Sequence, residues 1–231
     1  MTLKTVNLNA IAISGEHLLI DVNLLIEEGH VALLMGPNGC GKSTLLKVLA
    51  GTFDGEISGQ IFWRGEDVSS LSTTERARKG FFMAFQDPVS IPGLSLIQLI
   101  KQSLESLGVD RGNTFAEALE ITTELGKGRE LLTRSLNVNC SGGEKKMGEY
   151  IQMHMLRPSM CLIDEIDSGL DVRASSIIWN KLSKLLSTRL VVTHSLSHGL
   201  QPHQVIIMKK GGIASTGDAH LLEVVKNRGY D

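Results

Sequence analysis

Residues 31–44, VALLMGPNGCGKST, decide the fold of this chain. The apolar run Val31–Met35 predicts a buried strand, and the apolar spacing from Leu45 to Leu49 predicts a helix. Between them, residues 36–43 match G-x-x-x-x-G-K-[ST] in full. In a strand–loop–helix context this pattern forms a phosphate-binding loop, because its glycines let successive backbone N–H groups face a phosphate chain. The sequence therefore predicts a nucleoside triphosphate site formed by Gly36, Pro37, Asn38, Gly39, Cys40, Gly41, Lys42, Ser43 and Thr44.

Two residues of this loop are expected to act directly at the phosphates. Lys42 would reach the β- and γ-phosphates, and Ser43 would ligate Mg²⁺ through its hydroxyl. The alternative interpretation is a glycine-rich turn with a surface lysine, and the flanking strand and helix argue against it.

The composition excludes several function classes. The chain has 231 residues, enough for one large or two small domains, with 23 basic against 25 acidic side chains. This balance favours neither nucleic acid nor an anionic membrane as the main partner, and with 4% aromatic residues a stacking surface for single-stranded nucleic acid is not expected. No apolar run approaches the roughly 18 residues of a membrane span, and the first ten residues resemble neither a signal peptide nor a transit peptide. We therefore expect a cytoplasmic protein.

The cysteines and histidines indicate no resident metal centre. Cys40, Cys140 and Cys161 are too widely spaced for a C-x-x-C pair or a disulfide framework, so we interpret them as small buried thiols in a reduced compartment. His194 and His198 have i, i+4 spacing, but without an H-E-x-x-H context a zinc site is not expected.

Strands alternate with helices along most of the chain, which predicts an α/β fold with a mainly parallel sheet. The pattern of residues 3–28 predicts hairpins of a small antiparallel sheet, and that of residues 94–134 predicts an inserted helical segment. Capping-box spacing predicts Ser72 and Thr114 as the N-caps of two helices, and residues 87–93 are predicted to form a stiff loop. The helical insertion could be packing or partner surface. His17 could stack on the nucleotide base, but an apolar residue near Ile13 is as plausible, and an ordinary turn is the simpler reading for His17.

Four polar side chains stand at the carboxyl ends of predicted strands, the edge of a parallel sheet where ligands bind. Asp164 suits Mg²⁺ or its bound water, and Glu165 could orient or deprotonate the water that attacks the γ-phosphate. Gln86 could contact Mg²⁺ or that water through its amide, and His194 could hydrogen-bond the γ-phosphate. Each residue alone is a weak signal, but together beside a phosphate loop they predict hydrolysis.

The loop at Ser141 admits two readings. Ser141 and Glu144 have capping-box spacing, which is common at ordinary helix starts. Gly142 and Gly143 leave backbone N–H groups bare at that helix start, which also makes an anion site. A second anion site in a chain that already has a phosphate loop suggests use across a dimer.

These motifs, in this order, resemble those of the ABC-type ATPases, and the match covers nearly the whole chain. GPNGCGKST, Gln86, CSGGE, CLIDE, SGLD and His194 correspond to the Walker A, Q-loop, signature, Walker B, D-loop and switch histidine of that family. The resemblance implies an Mg²⁺-dependent ATPase whose two copies close head-to-tail on two ATP molecules. It further implies that the signature residues Ser141, Gly142, Gly143 and Glu144 act in trans and that Asp171 crosses the interface.

A narrower resemblance is to the SufC family of these ATPases. It rests on residues 82–93, 131–138, 141–146 and 164–171, and on the ending at Gly229 and Tyr230. It implies SufB- and SufD-like scaffold partners in iron–sulfur cluster assembly and a dimer that forms transiently on ATP. The alternatives are the ATPase subunit of a membrane transporter and a non-enzymatic nucleotide switch; Lys42, Glu165 and His194 together argue against the switch.

The resemblance also implies one nucleotide-binding unit over residues 1–231. The core and the β subdomain would comprise residues 1–86 and 157–231, and the helical subdomain residues 87–156, including the signature loop and its helix.

Overall fold

Strands and helices alternate along the chain as its computed structural model describes it, over residues 2–193 and 200–229 without the side chains of residues 226–228. The strands are β1 (Thr2–Ala12), β2 (His17–Val22), β3 (Leu25–Glu27), β4 (Val31–Met35), β5 (Gly55–Trp63), β6 (Glu66–Asp67), β7 (Phe81–Ala84), β8 (Ile91–Ser95), β9 (Ser135–Leu136), β10 (Met160–Asp164), β11 (Thr188–Val192), β12 (Gln204–Lys209) and β13 (Gly212–Gly217). The helices are α1 (Lys42–Ala50), α2 (Thr73–Arg78), α3 (Leu96–Ser106), α4 (Thr114–Glu124), α5 (Glu130–Thr133), α6 (Gly142–Leu156), α7 (Val172–Ser183) and α8 (His220–Arg228).

A six-stranded sheet in the order β13-β12-β4-β11-β10-β7 forms the centre of the molecule. Every neighbouring pair is parallel except β12–β13, the predicted closing hairpin. All five residues of β4, of β10 and of β11 are buried, as expected for strands covered on both faces. The predicted mainly parallel sheet is confirmed, and the carboxyl ends of β4, β7, β10 and β11 share one edge.

The N-terminal strands form the predicted antiparallel sheet, in the order β2-β1-β5-β6 with β3 paired to β1. Its inward residues, such as Leu3 and Leu8, share one apolar cluster with Leu45 and Leu49 of α1 and with Leu162 of the central sheet. Because α1 is packed between two sheets, the loop at its start is held firmly.

Helices α3 to α7 bury their apolar residues in a second cluster, which also contains residues of the opposite face of the central sheet. The predicted helical insertion is present, but two local predictions are wrong and one helix was not predicted. Asn113, not Thr114, caps α4, because its side chain accepts the N–H of Ala116. Part of the predicted loop 87–93 belongs to β8, which pairs with the distant β9, and the short α5 was not predicted.

The capping box predicted at Ser72 is confirmed: Ser72 and Glu75 exchange hydrogen bonds at the start of α2. The division into subdomains at residues 87 and 156 remains a prediction, since α6 packs on α3 and α4 and also contacts the central strand β7, and Glu149 binds Phe85 just after that strand. None of the described helices is both long and apolar enough to cross a membrane.

Candidate functional site

The phosphate loop has the predicted strand–loop–helix form, from Met35 at the end of β4 to Lys42 at the start of α1. Gly36 has φ 150° and Gly41 has φ 105°, backbone angles that side chains disfavour. A Cβ at Gly36 would lie 2.2 Å from the carbonyl oxygen of Met208 on the neighbouring strand. The loop therefore follows a path that only glycine at position 36 permits.

Lys42 is folded into the centre of this loop. Its Nζ donates to the carbonyl oxygens of Gly36 at 2.8 Å and Pro37 at 3.0 Å. An ammonium held by neutral carbonyls can exchange them for phosphate oxygens, which form stronger charge-assisted hydrogen bonds.

A cleft of about 600 Å³ opens at the carboxyl edge of the central sheet, a size typical of small-molecule sites. It brings together residues of the phosphate loop, the end of β7, the end of β10 and the start of β2. The described lining residues are Glu16, Leu18, Asn38, Gly39, Gly41, Lys42, Ser43, Thr44, Gln86 and Glu165. His17 does not belong to this lining; it is the exposed first residue of β2.

Asp164 and Ser43 form a pair beside the cleft. Asp164 is only 1% exposed and accepts a hydrogen bond from the Ser43 side chain, while its Oδ1 has no hydrogen-bond partner among the described residues. Burial raises the pKa of Asp164, which means that the ionised carboxylate lacks compensation. A hydroxyl next to a buried, unsatisfied carboxylate oxygen is a donor set that suits Mg²⁺.

Glu165 and Gln86 meet across the cleft from the phosphate loop. Gln86 Nε2 donates to Glu165 Oε2 at 3.1 Å. The backbone of Glu165 is left-handed, with φ 49°, and its N–H donates to the carbonyl of Val192 on β11 at 2.9 Å. This backbone anchor turns the residue after β10 toward the cleft, so a carboxylate and an amide converge there as predicted.

Two charged residues of α6, which the sequence analysis did not single out as site residues, fix the backbone beside Gln86. Lys146 is 2% exposed and donates to the carbonyls of Phe85 at 2.7 Å and Asp164 at 3.1 Å. Glu149 accepts the N–H of Phe85 at 3.0 Å, and burial raises its pKa to about 7. A Lys–Glu pair at i, i+3 is typical of a solvated helix face, so no local pattern indicates this role.

The signature loop forms its capping box. Ser141 Oγ accepts the N–H of Glu144 at 3.2 Å, and the Ser141 N–H donates to Glu144 Oε2 at 3.1 Å. Glu144 is also paired with Arg134 at 2.7 Å and Lys127 at 3.1 Å. Burial alone would raise the pKa of Glu144, but the hydrogen bonds from Arg134, Ser141 and Lys127 lower it to about 2. Glu144 is therefore a fixed anion that orders the loop.

The D-loop lies against the signature loop. A Cβ at Gly143 would lie 2.6 Å from the carbonyl oxygen of Gly169, so the two loops touch. Asp171 caps α7 by accepting the N–H of Ala174 at 2.8 Å. Residues 141–144 and Asp171 are not among the described residues that line the cleft of their own chain.

The remaining predictions concern His194 and the thiols. His194 and His198 lie outside the described residues. All three cysteines are free thiols; Cys40 and Cys161 are buried as predicted, but the predicted burial of Cys140 is wrong, because it is half-buried. Within the described part of the chain, no group of three or more His, Cys, Asp or Glu side chains could hold a metal ion.

The sequence is similar to a known protein family and to known sequences over most of its length. The family model described as ABC transporter matches residues 19–168. A relative from Escherichia coli (strain K12), "Probable ATP-dependent transporter SufC", is 36% identical over 95% of this chain and 94% of its own length. "Probable ATP-dependent transporter slr0075" from Synechocystis is 39% identical, over 97% of this chain and 93% of its own length.

Solved structures match the fold over almost the whole chain. A dimeric ATP-binding cassette described as a post-hydrolysis state bound to ADP and Pi superposes with a TM-score of 0.80 at 24% identity, covering 94% of this chain and 98% of the other. An ATP-binding subunit of an ABC transporter gives 0.81 at 21% identity, covering 100% and 94%. At these identities the likeness shows the fold alone.

Proposed function

Because this chain belongs to the ABC transporter family of ATP-binding proteins and is an ATPase similar to SufC, we propose that it hydrolyses Mg²⁺-ATP in the cleft between the phosphate loop and Glu165. The observation that supports this most directly is the convergence of Lys42, Gln86 and Glu165 on one cleft. The predicted fold and enzyme class are confirmed; the assignments of individual site residues below are proposals.

The proposed chemistry follows from the position of each group. Backbone N–H groups of residues 36–43 and the ammonium of Lys42 bind the β- and γ-phosphates. Ser43 and Asp164 would hold Mg²⁺, which supplies positive charge to the phosphate oxygens when bound. Glu165 orients the attacking water or takes its proton, and Gln86 holds the Glu165 carboxylate through the 3.1 Å hydrogen bond. By resemblance, His194 would hydrogen-bond the γ-phosphate.

We further propose that two copies complete each other's sites. Ser141, Gly142 and Gly143 carry bare N–H groups or a hydroxyl at a helix start, yet none lines the cleft of its own chain among the described residues. In a head-to-tail dimer these groups would face the γ-phosphate bound by the partner. The contact of Gly143 with Gly169 supports a role for the D-loop, with Asp171, at the same interface.

The scaffold that this ATPase would drive is a SufB–SufD-like complex in iron–sulfur cluster assembly. Similarity to SufC over nearly the full length supports this proposal. A groove of about 570 Å³ next to the Q-loop supports a docking role, since it is lined by aromatic and aliphatic residues that include Phe82, Phe85 and Leu99. Phe85 and Val89 are exposed beside Gln86, so a protein seated there would contact the residue that holds Glu165.

The alternative is an ATPase subunit that works with a membrane permease, which the word "transporter" in the names of the relatives favours. A Glu165→Gln variant should bind ATP but hydrolyse it slowly, and so hold the ATP-bound complex. We would tag this variant, add ATP and Mg²⁺ to host lysate, and identify what co-purifies, with Lys42→Ala as the matched control that cannot bind nucleotide.

Soluble SufB- or SufD-like proteins retained by Glu165→Gln, and absent from the Lys42→Ala eluate, would support the cluster-assembly proposal. An integral membrane protein in their place would refute it and leave the transporter alternative.

A further inference from the structure

A second cavity, of about 490 Å³, lies at the edge of the central sheet opposite the nucleotide cleft. It is formed where β4 and β11 begin, by the end of α7 and by the residues that lead into β12. The described lining residues are Val31, Ser183, Arg189, Leu200, Gln201, Pro202 and His203. Its volume is within the range of small-molecule sites, and its position separates it from the ATPase machinery by the length of the strands.

Arg189 supplies the positive charge in the lining of this cavity. It is 3% exposed, and its Nη1 donates to the carbonyl of Leu182 at the end of α7. Its Nε has no hydrogen-bond partner among the described residues, and no described carboxylate forms an ion pair with it. A buried guanidinium without an anion is costly, because guanidinium keeps its charge. Capping α7 accounts for Nη1 only.

His203 contributes a second donor with a defined direction. Its Nδ1 accepts the N–H of Val31 at 3.1 Å, so the neutral ring carries its hydrogen on Nε2. The ring stacks on His30 with centroids 4.4 Å apart and an angle of 19° between the planes. Burial, followed by the charges of His30 and Arg189, lowers the pKa of His203, which keeps it a neutral donor.

The lining is complementary to negative charge. Arg189, His203 and Gln201 all offer N–H groups, and the described lining contains no Asp or Glu. A nearby carboxylate, Glu27, lies 3.5 Å from Nε2 of His30 and is not a described lining residue. A guanidinium that has no described carboxylate partner, together with the exposed neutral donors of Gln201 and His203 around the same cavity, is the composition of an anion site.

We propose that this cavity binds a small anion through a carboxylate or phosphate group, with Arg189 as the charged ligand and His203 and Gln201 as neutral donors. The volume leaves room for an organic portion on the anion beside Val31, Leu200 and Pro202. This site is independent of the proposed ATPase chemistry, and its failure would leave that proposal intact.

The test keeps the phosphate loop occupied, because that loop also binds phosphate. Protein saturated with ADP and Mg²⁺ is titrated with inorganic phosphate and, separately, with malonate, by calorimetry and by the thermal midpoint, against sodium chloride at equal ionic strength. We expect at least one of the two anions to bind and to raise the midpoint above the chloride control. In Arg189→Met, which keeps an unbranched side chain but lacks the guanidinium, the affinity should fall about tenfold or more.

His203→Asn provides a milder variant, since the Asn oxygen can replace Nδ1 as acceptor for Val31 while the Nε2 donor is lost. We expect a smaller loss of affinity than in Arg189→Met, of about threefold to tenfold. If Arg189→Met does not fold, the same assay on His203→Asn tests the proposal. Equal affinity in the wild type, Arg189→Met and His203→Asn, or no binding beyond the chloride control, would overturn the proposal.

Discussion

At the scale of single residues, the proposed hydrolysis depends most on Glu165. Its carboxylate lines the nucleotide cleft and is held by Gln86 at 3.1 Å, while its backbone is anchored to Val192. Glu165→Gln keeps the shape and the hydrogen-bonding capacity but cannot accept a proton, so we expect ATP hydrolysis to fall about 10²- to 10⁴-fold.

Steady-state phosphate release measures this loss, and nucleotide binding by the variant should stay within a fewfold of the wild type. Glu56→Gln, on an exposed stretch of β5, is the matched control and should hydrolyse ATP at the wild-type rate. Full activity in Glu165→Gln would remove the role assigned to this residue.

Glu149 predicts a pH dependence of stability. Burial raises the pKa of Glu149 from 4.5 to about 7 in the folded protein. Between these two values the folded state binds more protons than the unfolded state, so the contribution of Glu149 to the free energy of unfolding falls as the pH rises. The total fall is about 3 kcal/mol, and it is complete above pH 7.

Denaturant titrations of wild type and Glu149→Gln from pH 4 to 8 isolate this contribution, because all other carboxyl groups are common to both proteins. The Gln oxygen can still accept the N–H of Phe85. The difference in the free energy of unfolding should shift in favour of Glu149→Gln as the pH rises from 4.5 to 7. A difference that does not vary with pH would contradict the raised pKa.

At the scale of elements, the strand–loop–helix unit depends on Gly36. A Cβ there meets the carbonyl oxygen of Met208 at 2.2 Å, and φ is 150°. Gly36→Ala should therefore lower the free energy of unfolding by about 3 kcal/mol or more, and it should weaken ATP binding. Gly65→Ala is the matched control, since φ is 85° but nothing lies within 4 Å of its Cβ, and it should cost about 1 kcal/mol. Equal costs in the two variants would show that the close approach to Met208 does not matter.

Two helices begin with the same S-x-x-E capping box, and only one is expected to serve catalysis. Ser141→Ala on α6 and Ser72→Ala on α2 each remove a side-chain cap worth about 1 kcal/mol. Chemical denaturation should show similar losses for both. We expect only Ser141→Ala to slow ATP hydrolysis, by about tenfold or more, because the Ser141 hydroxyl would also face the partner's γ-phosphate. Equal ATPase rates in the two variants would leave Ser141 as an ordinary cap.

Elements with a local signal were predicted well. Strand β4 is an unbroken apolar run, β10 is apolar up to Asp164, and the polar residues at the strand ends marked the cleft. The start of α4 was displaced by one residue because Asn113 competes with Thr114 as cap, and Asn is the better N-cap. Strand β8 was missed because its pairing with β9 depends on a contact about 40 residues away in sequence, which no local pattern reports.

At the scale of the whole molecule, site residues that belong to short motifs could be predicted from the sequence. Residues whose position depends on tertiary packing could not. Lys42, Ser43, Gln86, Asp164 and Glu165 come together as predicted. The hydrogen bonds of Lys146 and Glu149 to Phe85, and the burial of Arg189 at the start of β11, depend on which helix covers which strand end. A charged residue on a helix or strand is predicted from the sequence to be exposed, and its burial is seen only in the folded structure.

The central claim is an ATPase site shared between two copies. Lys42→Ala would bind no phosphate, and Ser141→Arg would obstruct the signature loop, so each variant alone should be nearly inactive. In a head-to-tail dimer of the two variants, one site contains both substitutions and the other contains neither.

The measurement that tests this claim most directly is the ATPase rate of an equimolar mixture of these two variants. Random pairing makes half of the dimers mixed, and each mixed dimer has one intact site of two, so we expect recovery of up to roughly one quarter of the wild-type rate. A mixture that stays as inactive as its components would contradict a site shared between copies.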